Sequence, residues 1–400
     1  MSVEPSAVTE GRALLLRRWW VSQQPRVLQL AVALMIVAAL YRLVNEYSRL
    51  VWEPGPSGAV DLRFYHDWVH RWFAGEPIYT RGPGAAEYPP ASYVILWPLL
   101  GWLDLTQARW FWAVTSAVAL TWLVALIVRE SGADRPTERV FVALLPLSMY
   151  AASAAIGNGQ VIVYLLPALI GGLVSLRSVR GAWPEDLAAA AALLVTLVKP
   201  SIAVPFFWIV LFRQRRLRPI PLIGAGYVAL TLFAAAFQNA NPVALLLDSV
   251  INGAAQATRG GYANLHSWLA ALGLQDWSLF GSALAIGGAG LWSYRYRHAD
   301  LWLLMGVMAL VARFWTYHRL YDDLLVLLPM IALFRITKGS PIADGSDVMA
   351  GILLAAAWVA ALAPARLLTY PPPWSLLFEA GQTVVWAALL IFLVDRCRRP

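Results

Sequence analysis

A polar segment near the start of the chain, residues 61–90, carries side chains suited to chemistry and reads DLRFYHDWVHRWFAGEPIYTRGPGAAEYPP. It includes the carboxylates of Asp61 and Asp67, and a partly desolvated carboxylate can act as a general base. The two residues are six positions apart, a spacing that does not share a helix face, so we expect only one of them to face a site. Asp61 also follows the turn-forming stretch GPSGAV, and a second interpretation makes it the N-cap of the next helix.

Metal-binding chemistry is weakly indicated by this segment. His66 and His70 are four residues apart, which would place both imidazoles on one side of a helix. Zinc sites usually need three protein ligands, and no carboxylate stands at the expected third position. The single cysteine, Cys397, excludes an intrachain disulfide and a Cys-based metal site. We therefore expect no cofactor, and the chemistry does not require a divalent metal.

A lysine lies inside the long apolar run LVTLVKPSIAVPF. The ammonium of Lys199 is costly there unless it faces a cavity or an anion, and Pro200 breaks the helix directly after it. The pattern predicts a short hairpin that enters from one side of a membrane and has Lys199 at its tip. An anion such as a lipid phosphate would make use of this cation, whereas snorkelling of the side chain to the interface is the alternative.

Further polar side chains stand at the ends of separate apolar runs. If these ends lie on the same side, the residues converge, and polar groups near hydrocarbon are functional candidates by default. Simple anchoring of helix ends in the headgroup layer is the alternative for each one alone. The set is Asn158, Gln160, Asn264, His266, Arg313, Tyr317, His318, Arg319 and Asp322.

The composition is that of a polytopic membrane protein. Hydrophobic residues make up 60% of the 400 residues and charged residues 14%, against roughly 45–50% and 25% in soluble domains. The net charge of +8 does not indicate nucleic-acid binding, because the basic residues stand in short clusters between apolar runs. Hydropathy predicts one all-α domain, residues 28–395, with about twelve spans near 28–50, 107–128, 138–156, 160–176, 186–198, 200–212, 219–237, 277–293, 299–314, 322–336, 347–363 and 375–394.

The basic clusters also predict the orientation of the spans. Cytoplasmic loops retain Lys and Arg, so we place the clusters at 12–26, 213–218 and 396–399 on the inside of a plasma membrane. Both termini, 1–27 and 396–400, are then cytoplasmic. A crossing at 88–103 would invert every later cluster, so we expect this Pro-bounded, Trp-bearing run to lie along the outer surface. The first outer loop is then 51–106, and the later outer loops are 157–159, around 199, 238–276, 315–321 and 364–374.

Several short motifs in a fixed order resemble those of glycosyltransferase family 87 in the GT-C superfamily. They read VDLRFYHDW, GEPIY, EYPPASYVILWPL, GNGQVIVYLL, LVKPSIAVPFF and RFWTYHRLYDDLLVLLP, and the resemblance runs from about residue 28 to 335. The family includes polyprenol-phosphate-mannose-dependent mannosyltransferases. The resemblance implies a GT-C fold with juxtamembrane helices in the first outer loop. One motif departs from the mannosyltransferase form, which has Ser-Pro and paired His where this chain reads ARFWTYHRLYDD.

The resemblance implies a lipid-phosphate sugar as donor and an envelope glycolipid or glycan as acceptor. It places the catalytic base at Asp61, and single displacement predicts inversion of the anomeric carbon. We expect Lys199 and one of Arg313 and Arg319 to bind the donor phosphate, and His318 to bind the donor phosphate or a sugar hydroxyl. The remaining candidates for contact with the substrates are Tyr65, Asp67, Trp68, Tyr88, Asn158, Gln160, Asn264, His266, Tyr317 and Asp322.

Two other functions fit the apolar pattern. A secondary transporter or lipid flippase would also have many spans and broken helices, but it would be expected to show an internal repeat, and none is evident. A structural membrane protein would not need the polar cluster. The distances between Asp61, Lys199 and His318 discriminate these functions, because only the transferase requires all three to meet.

Overall fold

A computed structural model describes residues 7–80, 84–177, 182–213, 217–257, 263–338, 345–363 and 365–398, with side chains from residue 26 onward. Every regular element in these ranges is helical. The α-helices are α1 (Ala7–Trp52), α2 (Val60–Phe73), α3 (Pro90–Leu100), α4 (Leu105–Glu130), α5 (Pro136–Ser148), α6 (Tyr150–Asn158), α7 (Ile162–Ser175), α8 (Trp183–Thr196), α9 (Pro200–Phe212), α10 (Pro219–Gln238), α11 (Pro242–Ala257), α12 (Leu265–Ala271), α13 (Ser278–Arg295), α14 (Leu301–Phe314), α15 (Leu327–Lys338), α16 (Ser346–Leu362) and α17 (Trp374–Arg398). Three 3₁₀ segments complete them: Gln275–Trp277, Leu320–Val326 and Ala365–Thr369.

Four of the described helices are long and apolar enough to cross a membrane: the Arg26–Trp52 part of α1, and α4, α10 and α17. The pair α5 and α6 makes a fifth candidate, although its two halves are bent by 46°. Most of the other predicted spans coincide with shorter apolar helices of 10–17 residues, below the roughly 20 residues that an ordinary crossing needs. The chain is a polytopic membrane protein, and the number of twelve spans stays a prediction.

The break between α5 and α6 has a local explanation. Pro146 removes a backbone donor in the last turn of α5, and Met149 adopts an extended conformation with φ −67° and ψ 136°. Carbonyls released at such a break need a donor inside a membrane. Arg42 of α1 supplies it by donating to the Ser148 carbonyl, and it also reaches the Leu362 carbonyl at 2.5 Å. The bend is therefore a polar junction between α1, α5 and α16.

The predicted outer segment forms two short helices that pack together. α2 buries Leu62, Tyr65, Val69 and Trp72 on one side, where the Trp72 ring stacks on Tyr93 of α3 with the centroids 4.7 Å apart. α3 has 11 residues and spans only about 17 Å at 1.5 Å per residue. This is shorter than a hydrocarbon core of about 30 Å, and the surface position of 88–103 stays a prediction.

Two details depart from the sequence predictions or escape them. Asp61 is not the N-cap of α2, because that position is held by Ala59 in the left-handed region with φ 51°. The predicted outer loop 238–276 contains a helix, α11, that the hydropathy pattern did not indicate. The side chains of 12–25 and residues 214–216, 399 and 400, which belong to the predicted basic clusters, lie outside the described residues.

Candidate active site

The carboxylate of Asp322 is the centre of a buried polar cluster. It accepts hydrogen bonds from Lys199 Nζ at 2.7 Å, from His318 Nδ1 at 3.0 Å and from the backbone N–H of Arg319 at 3.1 Å. The 3₁₀ segment Leu320–Val326 positions it, and Arg319 is the N-cap of that segment. Lys199 and Asp322 are 123 residues apart in the chain. The cluster therefore depends on tertiary packing and not on local sequence.

Lys199 stands at the junction of two short helices, as the Lys-Pro break predicted. It is the N-cap residue of α9, three positions after the end of α8. Its side chain is only 9% exposed, and Nζ lies 5.0 Å from the centre of the Tyr321 ring. An ammonium carries three N–H donors, so the bond to Asp322 leaves donors for a further acceptor. An anionic ligand is a suitable acceptor for this cation.

His318 is fully buried beside the same carboxylate. Burial lowers the pKa of its imidazole, although the hydrogen bond to Asp322 works in the opposite direction. In the neutral ring Nδ1–H donates to Asp322, so Nε2 is an acceptor. Nε2 is also buried and has no hydrogen-bond partner among the described residues. An acceptor nitrogen suits a hydroxyl group better than a phosphate oxygen, which favours the sugar hydroxyl among the two ligands predicted for His318.

Asp61 lies in the first turn of α2 and faces this cluster. Its side chain bonds Gln160, and burial raises the pKa of the carboxyl, while Gln160, Lys199 and Arg319 act to lower it. Gln160 is itself oriented because its Oε1 accepts from the Tyr65 hydroxyl at 2.9 Å. The Oδ2 atom of Asp61 is buried and has no hydrogen-bond partner in the described part of the chain. The structure thus brings Asp61 into the same electrostatic environment as Lys199, Arg319 and Asp322.

Glu87 belongs to the same site and was not among the predicted residues. Burial raises the pKa of its carboxyl to about 7, with Lys199 and Arg319 opposing the shift and Asp61 and Asp322 adding to it. The adjacent Tyr88 also bonds Tyr65, which orients Gln160 beside Asp61, so Glu87 lies next to the network that holds Asp61. In the sequence, Glu87 is marked only by its position at the start of the EYPP motif. That motif predicts a surface helix and gives no indication of a role for its glutamate.

The two arginines predicted for the phosphate differ in accessibility. Arg313 is completely buried at the end of α14, where its Nε donates to Asp323, which also accepts from the Tyr150 hydroxyl. Arg319 is exposed, and its guanidinium lies 5.4 Å from the centre of the half-buried Tyr317 ring. We therefore assign the second cation of the site to Arg319, and Arg313 to the support of the 3₁₀ segment.

Other predicted contact residues have structural partners. Asp67 is 57% exposed and pairs with Arg71 at 3.5 Å, so it points away from Asp61. The other residues make these contacts: the Tyr65 hydroxyl lies 2.8 Å from that of Tyr88, Trp68 donates to the Gly84 carbonyl, Asn158 accepts from Arg49, Asn264 caps α12 by accepting from Ser267, and His266 Nε2 lies 2.7 Å from Ser282 Oγ. The Tyr65 hydroxyl therefore orients Gln160, which bonds Asp61, and the Tyr88 hydroxyl holds the Tyr65 hydroxyl in place.

The histidine pair considered for a metal makes contacts of another kind. His66 Nε2 lies 2.9 Å from the Leu103 carbonyl, and His70 Nε2 lies 3.2 Å from the Leu100 carbonyl. Both rings therefore tie α2 to the end of α3. Among the described residues there is no group of three or more His, Cys, Asp or Glu side chains that could hold a metal ion.

Comparison with known proteins identifies the family. The profile of glycosyltransferase family 87 matches residues 87–334, more than half of the chain. The match contains Glu87, Lys199, His318, Arg319 and Asp322, whereas Asp61 precedes it. No curated protein and no solved structure matches the chain. The resemblance is thus confirmed over residues 87–334, a GT-C placement is consistent with it, and the chain belongs to glycosyltransferase family 87 as a membrane-embedded glycosyltransferase.

Proposed function

We propose that this glycosyltransferase moves a hexose, with mannose as the first candidate, from a polyprenyl-phosphate donor to an envelope glycolipid or glycan at the outer face of the plasma membrane. The observation that carries the proposal is the convergence of three predicted segments. Lys199 and His318 share the carboxylate of Asp322 at 2.7 and 3.0 Å, and Asp61 is electrostatically coupled to Lys199 and Asp322. A cation, a hydroxyl acceptor and a candidate base therefore meet in one site.

Asp61 acts as the general base in this proposal. The attacking hydroxyl must lose its proton while its oxygen bonds to the anomeric carbon, and a positioned carboxylate accepts that proton. Gln160 orients the side chain, and burial raises the pKa of the carboxyl above its ordinary value, which makes it a stronger base. The free Oδ2 is the atom available to the hydroxyl.

Lys199 and Arg319 stabilise the departing lipid phosphate. Negative charge grows on the phosphate as the glycosidic bond breaks, so fixed cations bind the transition state more strongly than the ground state. Lys199 is held in place by Asp322, while the exposed guanidinium of Arg319 is able to form a bidentate contact with phosphate. The two cations neutralise the phosphate without a divalent metal.

Single displacement accounts for the remaining steps. The acceptor oxygen forms its bond to the anomeric carbon on the side opposite the phosphate, the glycosidic C–O bond breaks, and the proton of the acceptor passes to Asp61. The configuration is inverted, and the products are the glycosylated acceptor and polyprenyl phosphate. His318 Nε2 accepts a hydrogen bond from a sugar hydroxyl, which orients the ring.

The test is transfer of labelled sugar in membranes that contain the wild-type protein or Asp61→Asn. The donors are polyprenyl phosphates that carry mannose, glucose or galactose, the acceptor is an envelope lipid extract, and product formation is measured in the lipid phase. Loss of a general base is expected to slow transfer about 10²–10⁴-fold. Asp276→Asn, at an exposed aspartate in the predicted outer loop 238–276, is the matched control and should leave transfer unchanged. Undiminished transfer by Asp61→Asn would refute the base, and no transfer by the wild type would refute the donor class.

A further inference from the structure

The backbone on both sides of Glu87 is held by hydrogen bonds. On one side, the Ala86 carbonyl accepts from Asn252 Nδ2 at 2.9 Å, and the Ala86 N–H donates to Ile78 at 3.3 Å. On the other side, the Tyr88 carbonyl accepts from the hydroxyls of Tyr79 and Tyr93 at 2.5 and 3.0 Å. A residue between two such anchors has little freedom to move. The backbone position of Glu87 is therefore fixed by the fold.

The residue next to Glu87 connects it to the candidate base. The Tyr88 hydroxyl lies 2.8 Å from that of Tyr65, which donates to Gln160 Oε1 at 2.9 Å, and Gln160 bonds the Asp61 side chain. Ala86 and Tyr88 are 0% and 4% exposed and pack into the hydrophobic core. Glu87 itself is half-buried, and its carboxyl interacts with the charges of Asp61, Lys199 and Arg319. Glu87 therefore lies next to the hydrogen-bond network that orients Asp61.

We propose that Glu87 binds the acceptor sugar and determines which acceptor is used, through hydrogen bonds from the hydroxyls next to the attacking one. This inference rests on the proposed function. The attacking hydroxyl must lie at Asp61, and the hydrogen bonds from Tyr88 through Tyr65 to Gln160 connect the Glu87 segment to Asp61, so Glu87 is placed to contact other hydroxyls of the same sugar. A carboxylate repels the donor phosphate but accepts well from hydroxyl groups. Glu87 is thus a specificity residue for the acceptor, separate from the cations that bind the donor.

The charge state of Glu87 predicts that acceptor binding depends on pH. Lys199, Arg319, Asp61, Asp322, Tyr88 and Tyr317 are the titratable groups that interact with it, and burial raises its pKa to about 7. The ionised carboxylate is the stronger hydrogen-bond acceptor. Binding of the acceptor should therefore strengthen as the pH rises through about 7.

The test titrates the envelope lipid extract and the donor separately in the transfer assay, with wild type, Glu87→Gln and Glu76→Gln. A lost hydrogen bond to a charged group should raise the half-saturating amount of extract about 10- to 100-fold in Glu87→Gln, with the donor value unchanged within about twofold. The pH dependence of the extract value near neutrality should also disappear. Glu76 is 58% exposed on the same loop and pairs with Arg71, so its variant should behave as wild type.

Distinct outcomes separate this inference from the proposed function. If Glu87→Gln elutes as a folded protein and keeps the wild-type half-saturation for the extract, the inference is wrong while the transferase proposal stands. If Glu87→Gln abolishes turnover and Asp61→Asn does not, Glu87 is the base and both assignments fail. If the wild type transfers no sugar, the donor class fails first and the inference fails with it.

Discussion

The ion pair of Lys199 and Asp322 supports a quantitative prediction about stability. The side chains are 9% and 1% exposed, and the two charged atoms are 2.7 Å apart. Asp322→Asn removes the negative charge and leaves the ammonium of Lys199 buried beside a neutral amide. Breaking a buried pair from one side costs about 3–5 kcal/mol, because the remaining charge has lost its partner. We expect the free energy of unfolding to fall by this amount.

Removal of both charges should be much less costly. In the double variant Lys199→Met and Asp322→Asn no unpaired charge remains, so the loss reduces to two neutral hydrogen bonds, from His318 and the Arg319 N–H, at about 1–2 kcal/mol in total. The double variant should therefore be more stable than Asp322→Asn by about 2–3 kcal/mol. Neither variant should transfer sugar. The double variant lacks the ammonium of Lys199, and in Asp322→Asn the carboxylate that holds this ammonium in place is missing.

Unfolding in mixed detergent micelles, followed by helical circular dichroism during a titration with sodium dodecyl sulfate, measures these differences. Lys199→Met alone completes the double-mutant cycle and isolates the coupling energy. The reasoning is refuted if Asp322→Asn costs less than about 1 kcal/mol, the range of an exposed pair. It is also refuted if the double variant is no more stable than Asp322→Asn.

Two further predictions separate support of the fold from chemistry. Arg313→Gln should destabilise the protein by about 3–5 kcal/mol, because Arg313 is buried against Asp323. Arg319→Gln should change stability by no more than about 1 kcal/mol and should raise the half-saturating donor concentration. Equal effects of the two variants on stability would contradict the assignment of Arg313 to the fold and of Arg319 to donor binding. Gly159→Ala places a Cβ 2.5 Å from Leu62 Cβ at φ +74°, whereas Gly132→Ala has the same φ with open space. The same titration should show Gly159→Ala as the less stable by about 1–3 kcal/mol, and equal costs would show that Leu62 gives way without strain.

Hydropathy was sufficient for most of the helices. The run 107–128 corresponds to α4 (Leu105–Glu130), and the Lys-Pro break at 199–200 was found where α8 ends and α9 begins. These elements were predictable because apolar length and proline act locally. α11 escaped prediction because Asp248 and Asn252 interrupt its apolar residues, and a short amphipathic run resembles a loop in a membrane protein. Its packing, which includes the bond from Asn252 to Ala86, depends on distant residues.

The sequence was sufficient to predict several residues of the site, but not which of them contact each other. Lys199, His318 and Asp322 each stood out because a polar group near hydrocarbon needs a partner. That Asp322 is the shared partner depends on contacts across 123 residues, and no spacing encodes such a contact. The choice between Arg313 and Arg319 depends on burial, since one ends α14 and the other precedes the 3₁₀ segment. Glu87 was missed for the same reason, because its coupling to Asp61 exists only in the folded chain.

The family match and the geometry divide the site into two parts. The matched residues 87–334 contain the cations, Asp322 and Glu87, while Asp61 belongs to the preceding helix α2. α2 is tied to the matched part by the hydrogen bonds of the Tyr65 hydroxyl to Gln160 and Tyr88. The proposed base is thus contributed by one segment and oriented by another. Since Tyr88 also adjoins Glu87, a change at Tyr65 or Tyr88 should disturb the base and the acceptor contact together, whereas a change at Arg319 should affect the donor alone.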